Sequence, residues 1–418
     1  MSVSVTKAKM SSIVGLCREF VFKKSGSIRA FASLIGKLVA TFPGVEYGPL
    51  HYRHFVRDKD LALRHSAGNF EVMMILSEES IIELEWWIKF LPTASKLINH
   101  GPINYTIFVD ASRKGWGAIV DESRTQGLWS LEEAVHNINI LEMLAALFGL
   151  QALCGHLHKV NIRIMSDNAT AVSYINCMGG TKSWSCNSVA YKIWYWAIER
   201  NIWLTAAHTP GIKNVEADVL SRNFVSGLEW QMNAGIFSKI VDCFGVPDID
   251  LFASRINHRV PAYASWKPDP NAVIIDAFTS DWSTFKQFYV FPPFCLIARC
   301  LQKILLEQAT GIMVVPLWRT QAWFTRVLDL LIDTPRWVRV NKSVLEHPLI
   351  NHHPLSSQLC LLICKLSGKS SLTSAYRQKL RMSSCVLGDR AQGSSMTYTS
   401  GSGVNFVFKE KLISCTPL

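Results

Sequence analysis

The chain reads as an α/β protein: a mixed five-stranded sheet with flanking helices, a mostly helical region before it and a second, smaller α/β domain after it. Three observations predict this. Between residues 101 and 224, extended and helical runs alternate: three antiparallel strands, a helix, a strand, two helices, a strand and a terminal helix. That order suits a mixed sheet covered on both faces. Before residue 100 the apolar spacing is helical, and after residue 225 extended and helical runs alternate again.

Taken in order, Ser27 caps a helix over Ile28–Thr41 that stops before Pro43-Gly44. Ser77 caps another through Leu91, ended by Pro92. Between them, Tyr47–Arg64 mixes rings and cations (Tyr47, His51, Tyr52, Arg53, His54, Arg57), which suits a nucleic-acid backbone with base stacking or an ordinary solvated loop and helix. Runs at 103–109 and 115–120 flank Ser112-Arg113-Lys114 and form a hairpin. A third strand follows near Gly127–Trp129, then a helix at 138–153, a strand at 160–166 and a helix at 169–178. Gly179-Gly180 breaks the chain before a helix at 187–200 and the last strand, Ile202–Ala207. Further on, Phe244–Phe252 and Ile312–Pro316 read as strands and Leu296–Gln308 as a helix. Beyond residue 333 periodicity weakens, and Ser, Thr and Gly dominate from Gly368, as in a linker and flexible tail.

With 418 residues, 49% hydrophobic and 14 Trp, the chain is long enough for two or three folded domains. Forty-three Lys and Arg against 32 Asp and Glu give a formal charge of +11, a surplus that favours polyanionic partners, nucleic acid first. The 11 Cys are scattered, without CxxC or a Cys/His zinc pattern, as expected of reduced thiols in cytoplasm or nucleus. Cys360 and Cys364 are spaced as on one helical face. No apolar run suits a signal peptide or a bilayer span, so no membrane partner is expected.

Four carboxylates are the candidate site: Asp110, Glu142, Asp167 and Asp218. Asp110 ends the apolar run INYTIFVD, and Asp167 ends VNIRIMSD. Glu142 interrupts INILEMLAALFGL, where apolar neighbours three and four residues away leave it no polar face. Asp218 lies in HTPGIKNVEADVLSR. A buried carboxylate needs a partner, and no nearby Lys or Arg is evident in the sequence. A divalent metal is the natural partner, and Mg²⁺ prefers such carboxylate oxygens. Four acids on different elements point to a two-metal nuclease. His208, ten residues before Asp218, has side-chain chemistry suited to proton transfer during product release. The plainer alternatives are turn-forming aspartates, a helix cap at Asp167-Asn168 and a structural histidine before Pro-Gly.

These motifs resemble a type 1 ribonuclease H domain, especially that of retroelement reverse transcriptases. FVDAS with GWGA is similar to the first-strand Asp and its hairpin, ILEMLAAL to the helix with the catalytic Glu, and MSDNATAV to the second strand-end Asp. HTPGIKNVEAD is similar to the His loop, with its Asn six and its Asp ten residues after the His. The resemblance covers about residues 101–224. It implies that Asp110, Glu142, Asp167 and Asp218 are metal ligands and catalytic, with His208 the loop histidine. The implied activity is endonucleolytic hydrolysis of RNA in an RNA–DNA hybrid, with Mg²⁺ or Mn²⁺.

The flanks resemble a DIRS-type retrotransposon polyprotein, through SIRAFASLIGKLVATFPGVEYGPLHYR, Trp86-Trp87 and DLFASRINHRVPAYASWKPDP. In that likeness residues 1–100 resemble a reverse transcriptase thumb and connection region, and 333–418 are linker and flexible tail. A palm with a YxDD-type motif is not found, and no primer extension is expected. Residues 225–332 resemble a degenerate Dam-like adenine methylase domain, through DLFAS, Asn257, Tyr263, FPPF, Pro316 and Trp323-Phe324. Phe291 stands where that family carries a hydrogen-bonding side chain, and no glycine-rich loop is evident, so S-adenosylmethionine is not expected as a cofactor. The alternatives to a nuclease are an inactive remnant binding single- or double-stranded nucleic acid, and a DNA adenine methyltransferase.

Overall fold

The computed structural model describes residues 1–224, 229–348, 350–382 and 404–418. Four helices build the N-terminal region: α1 (Lys7–Lys23), α2 (Ile28–Val39), α3 (Arg53–His65) and α4 (Glu78–Phe90). Ser27 accepts from the Ala30 amide and Ser77 from the Ser80 amide, so both expected caps form. On α1 the buried stripe is Ile13, Val14, Cys17 and Phe20, a helical period that meets Phe31, Leu34, Phe55, Leu84 and Trp87 in one core.

Residues 1–127 and 132–223 form one unit, and residues 128–131 and 224–418 the other. Within the first unit, the mixed segment Tyr47–Arg64 is spent on packing. Tyr47 meets Trp194 and Trp203 edge-on or tilted, and His51 stacks on Trp86 at 3.8 Å. Arg53 donates to the carbonyls of Cys177 and Gly179, both at 3.0 Å, and the Arg57 guanidinium lies 4.5 Å over Trp184. Packing of these rings and cations accords with the ordinary of the two readings for them, while Arg57 and Arg64 stay exposed. The ring faces that would stack on bases are covered by other rings of the same chain.

The five strands are β1 (Tyr105–Ala111), β2 (Gly115–Val120), β3 (Ser123–Leu128), β4 (Asn161–Ser166) and β5 (Trp203–His208), in the order β3-β2-β1-β4-β5. β1 runs antiparallel to β2 and parallel to β4, which is parallel to β5. The helices between them are α5 (Ile138–Cys154), α6 (Ala169–Asn176), α7 (Trp184–Glu199) and α8 (Val215–Arg222). Strand alternation gives the central sheet two differently covered faces. Ile107, Val109 and Ala118 face α5, where a Cβ on Gly149 would lie 2.7 Å from that of Ala118. Asp110 and Gly117, paired across the hairpin, share the other face, which carries α8. α5 is buried almost all round because it also packs on α7. β5 is an edge strand, and the Asn176 amide bonds both the N–H and the C=O of Ala206 at 2.8 Å, as a neighbouring strand would.

The second unit holds a seven-stranded sheet. Its strands are β6 (Ile249–Asp250), β7 (Phe288–Val290), β8 (Thr310–Pro316), β9 (Arg336–Arg339), β10 (Cys360–Ser367), β11 (Val404–Phe408) and β12 (Lys411–Pro417), in the order β6-β7-β8-β10-β9-β12-β11. The expected strand Phe244–Phe252 shrinks to Ile249–Asp250, because a helix, α9 (Ala234–Phe244), runs to its start. The reading of 333–418 as linker and tail is corrected for the described residues. β10 is central and buried on both faces, so its apolar run lacks the alternation that marks a half-buried strand. Residues 370–379 form helix rather than tail. Cys360 and Cys364 lie on that strand, not on a helix, since a spacing of four returns to one face in either period. The Ser/Gly-rich part of the expected tail, 383–403, lies outside the described residues. No described helix is long and apolar enough to cross a membrane, and all ten described cysteines are free thiols.

Candidate active site

Parallel pairing of β1 and β4 brings their ends together, so Asp110, in the last turn of pleat on β1, and Asp167, directly after β4, become neighbours. Glu142 sits one turn into α5, whose start is fixed by Asn137 accepting from the Ile140 amide at 3.1 Å. Carboxylate oxygens of Asp110, Glu142 and Asp167 lie within 4.8 Å of one another. Asp110 and Glu142 are buried, 3% and 4% exposed, whereas Asp167 is exposed.

Asp218 is not in this triad. Its Oδ1 accepts from Arg222 Nε at 2.6 Å, one helical turn on. The sequence reading found no cation near these acids, and Arg222 corrects it for Asp218: residues four apart on a helix face each other. Asp218 still bears on the site, since its charge raises the pKa of Asp110. His208 is exposed at the end of β5, and its Nε2 donates to the Asp167 carbonyl at 3.0 Å, which places it beside the triad.

Several neighbours were not singled out from the sequence. The Ser221 hydroxyl donates to Asp110 Oδ2 at 2.6 Å, and that of Ser112 donates to the Ser221 carbonyl at 2.5 Å. Ser166 supports Glu142 together with the Ala111 amide. Asn214, noted only for its spacing after His208, donates to the Val109 carbonyl at 2.9 Å and ties the start of α8 to β1. Asn168 caps α6 through the Ala171 amide, leaving Asp167 free of the capping role. Ser221 lies in the last turn of α8, and nothing in the sequence said that it is buried or which strand it meets. Arg113, Lys114 and Arg222 line the same cleft as the triad.

The electrostatics follow from burial and like charge. Burial, then the charges of Asp110 and Asp167, push Glu142 up to about 9 from 4.5. Burial pushes Asp110 up to about 6 from 3.8, with Ser221 opposing and Asp167 and Asp218 adding to the rise. Glu142 Oε2 is buried with no hydrogen-bond partner. Three crowded acids, one of them with a buried, unpartnered oxygen, fit a hard divalent cation.

Both raised groups stabilise the metal-free fold fully below their unfolded pKa values, and that stability is lost as pH rises through about 6 for Asp110 and about 9 for Glu142. A bound cation favours the ionised forms and reverses the penalty. In EDTA the Tm is therefore expected to fall between pH 5 and pH 9, and Mg²⁺ to raise it more at pH 9 than at pH 5. Scanning fluorimetry checks this, and equal Mg²⁺ shifts at both pH values would contradict it.

The sheet order, with strand-end acids facing a buried helix glutamate, gives a mixed five-stranded α/β fold whose acids gather at the ends of its central strands. No known protein family and no curated protein matches the chain. Among solved structures the chain is similar to LC11 ribonuclease H1 in complex with an RNA/DNA hybrid, at 20% identity over 28% of this chain and 93% of that one, with a TM-score of 0.25. For the ribonuclease H1 of the archaeon Halobacterium salinarum, identity is 16% over 28% and 92% of the two chains, with a TM-score of 0.24. The foamy viral protease-reverse transcriptase in complex with an RNA/DNA hybrid is 12% identical over 55% of this chain and 31% of that one, with a TM-score of 0.20.

Proposed function

We propose that residues 101–224 are a ribonuclease H domain that cuts the RNA strand of RNA–DNA hybrids, with Mg²⁺ or with Mn²⁺ in its place. The observation that carries this reading is the triad: oxygens of Asp110, Glu142 and Asp167 within 4.8 Å, with Glu142 Oε2 buried and unpartnered. These three acids, with Asp218 released from Arg222, would hold the metal. When bound, a pair of divalent cations supplies an activated water and charge for the leaving oxygen.

The chain's own residues do the rest. Asp110 and Glu142, on which burial favours the protonated form, would lose their protons on holding the metal. Asp167 stands at the exposed side, where a phosphodiester enters. Lys114 and Arg222 offer cations to backbone phosphates at the rim. His208, held by the Asp167 carbonyl, is placed to carry a proton to or from the product.

The wider setting we propose is a DIRS-type retroelement polyprotein, with 1–100 thumb- and connection-like and 225–332 a degenerate adenine-methylase-like domain. Support for the latter is that residues of the DLFAS and FPPF motifs, including Phe252, Ser254 and Pro293, line one cavity of about 430 Å³. Methyl transfer stays the weaker reading because Phe291 offers no hydrogen bond to an amine.

The test is incubation of the protein with end-labelled RNA–DNA hybrid, single-stranded RNA and duplex DNA, with Mg²⁺ and with EDTA. Cleavage of the RNA strand of the hybrid alone, and only with metal, is expected. Binding of the hybrid without any cleavage would overturn the nuclease in favour of an inactive nucleic-acid-binding remnant.

A further inference from the structure

We infer that Ser221 is a positioning residue that fixes the orientation of the Asp110 carboxylate for metal binding. This rests on the nuclease reading of the same site but concerns a residue that carries no metal itself. Ser221 is fully buried on α8, at 0% exposure. Its Oγ lies 2.6 Å from Asp110 Oδ2 and 2.9 Å from the Asp218 carbonyl. A serine has one proton to give, and the nearer, charged acceptor takes it when Asp110 is ionised.

The terminal torsion of an aspartate is broad and weakly held by its own rotamer preferences. A donor fixed on one oxygen removes that freedom and leaves the other oxygen for a cation. Ser221 is itself held from behind. Ser112 donates to its carbonyl at 2.5 Å and accepts from the Lys114 and Gly115 amides at 3.1 and 3.3 Å. The β1–β2 turn, α8 and the end of β1 are thus linked through two hydroxyls into one support for Asp110. Gly117 makes this approach possible, since a Cβ there would meet the Ser221 amide at 2.9 Å.

Calorimetry with Mn²⁺ alone tests the inference on the full chain. Ser221→Ala is expected to bind Mn²⁺ about 10-fold more weakly, as is usual when an outer partner of a ligand is removed. The hybrid KM should change little, whereas the Tm in EDTA should fall, because the buried Asp110 carboxylate loses its donor. Ser112→Ala, which leaves the Ser221 hydroxyl in place, is expected to weaken Mn²⁺ binding by a smaller factor, and it carries the test if Ser221→Ala does not fold. Unchanged Mn²⁺ affinity in Ser221→Ala, or in Ser112→Ala should that be the one to fold, would overturn the inference, as would a wild type that binds no Mn²⁺. Hybrid cleavage by the wild type reports separately on the nuclease: Mn²⁺ binding that depends on Ser221 but brings no cleavage leaves this inference standing and removes that reading.

Discussion

Asp110→Asn is expected to lower single-turnover cleavage of a labelled RNA–DNA hybrid by at least about 100-fold. Removing even an outer partner of a metal ligand costs roughly 10–100-fold, and Asp110 is placed to be a ligand, with its oxygens beside those of Glu142 and Asp167. The amide keeps the shape of the carboxylate and its bond from Ser221, so the fold should survive. The substitution also removes a buried acid crowded by like charges, so the Tm in EDTA at pH 8 should rise rather than fall. Rate and Tm moving in opposite directions separate a lost site from a lost fold. Asp167→Asn should match it in rate with little change in Tm, because Asp167 is exposed. Cleavage that persists in both variants would show that the reaction is carried elsewhere.

Gly117→Val should disable the same site without touching a carboxylate. A Cβ at Gly117 would lie 2.5 Å from Leu220 Cβ, 2.7 Å from the Ala217 carbonyl oxygen and 2.9 Å from the Ser221 amide. Two of these are backbone atoms of α8, so the helix must move. Its movement shifts Ser221 and Asp218 together, away from Asp110. Overpacking of this kind costs about 1–3 kcal/mol, and a displacement of about 1 Å at a reacting centre can cost on the order of 100-fold in rate. A lower Tm and a rate loss that saturating Mg²⁺ does not restore are expected from melting curves and metal titrations. A variant with wild-type Tm and rate would mean that α8 is not seated on β2 in this way.

Much of the first unit was legible in the sequence. Most strands and helices between residues 101 and 224 appear close to where the apolar periods put them, because capping or breaking residues bound them. The third strand, expected near Gly127–Trp129, instead spans Ser123–Leu128, whose polar start carries little apolar signal. Ser27 and Ser77 announced their helix starts through chemistry confined to three residues. Less was legible after residue 333. β10 has no alternation because both its faces are covered, and the two strands that pair with it, β8 and β9, both lie well before it in sequence.

By itself the sequence determined that four acids stood in settings where a carboxylate is costly, at two strand ends, within an apolar helix and in the loop-to-helix segment after His208. Those costs are local, since they depend on neighbours one to four residues away. Which acids share a site is a long-range matter, decided by the order β3-β2-β1-β4-β5. Pairing of β1 with β4 sets Asp110 beside Asp167, and the passage of α5 across the sheet brings Glu142 to both. The pair of Asp218 with Arg222 follows from their spacing of four on one helix, whereas only the tertiary structure showed that Asp218 lies outside the triad and that Ser221, Ser112 and Gly117 shape the support behind Asp110. Hydrogen bonds and close approaches between residues more than 100 positions apart leave no periodic trace, because either partner alone looks like an ordinary small residue.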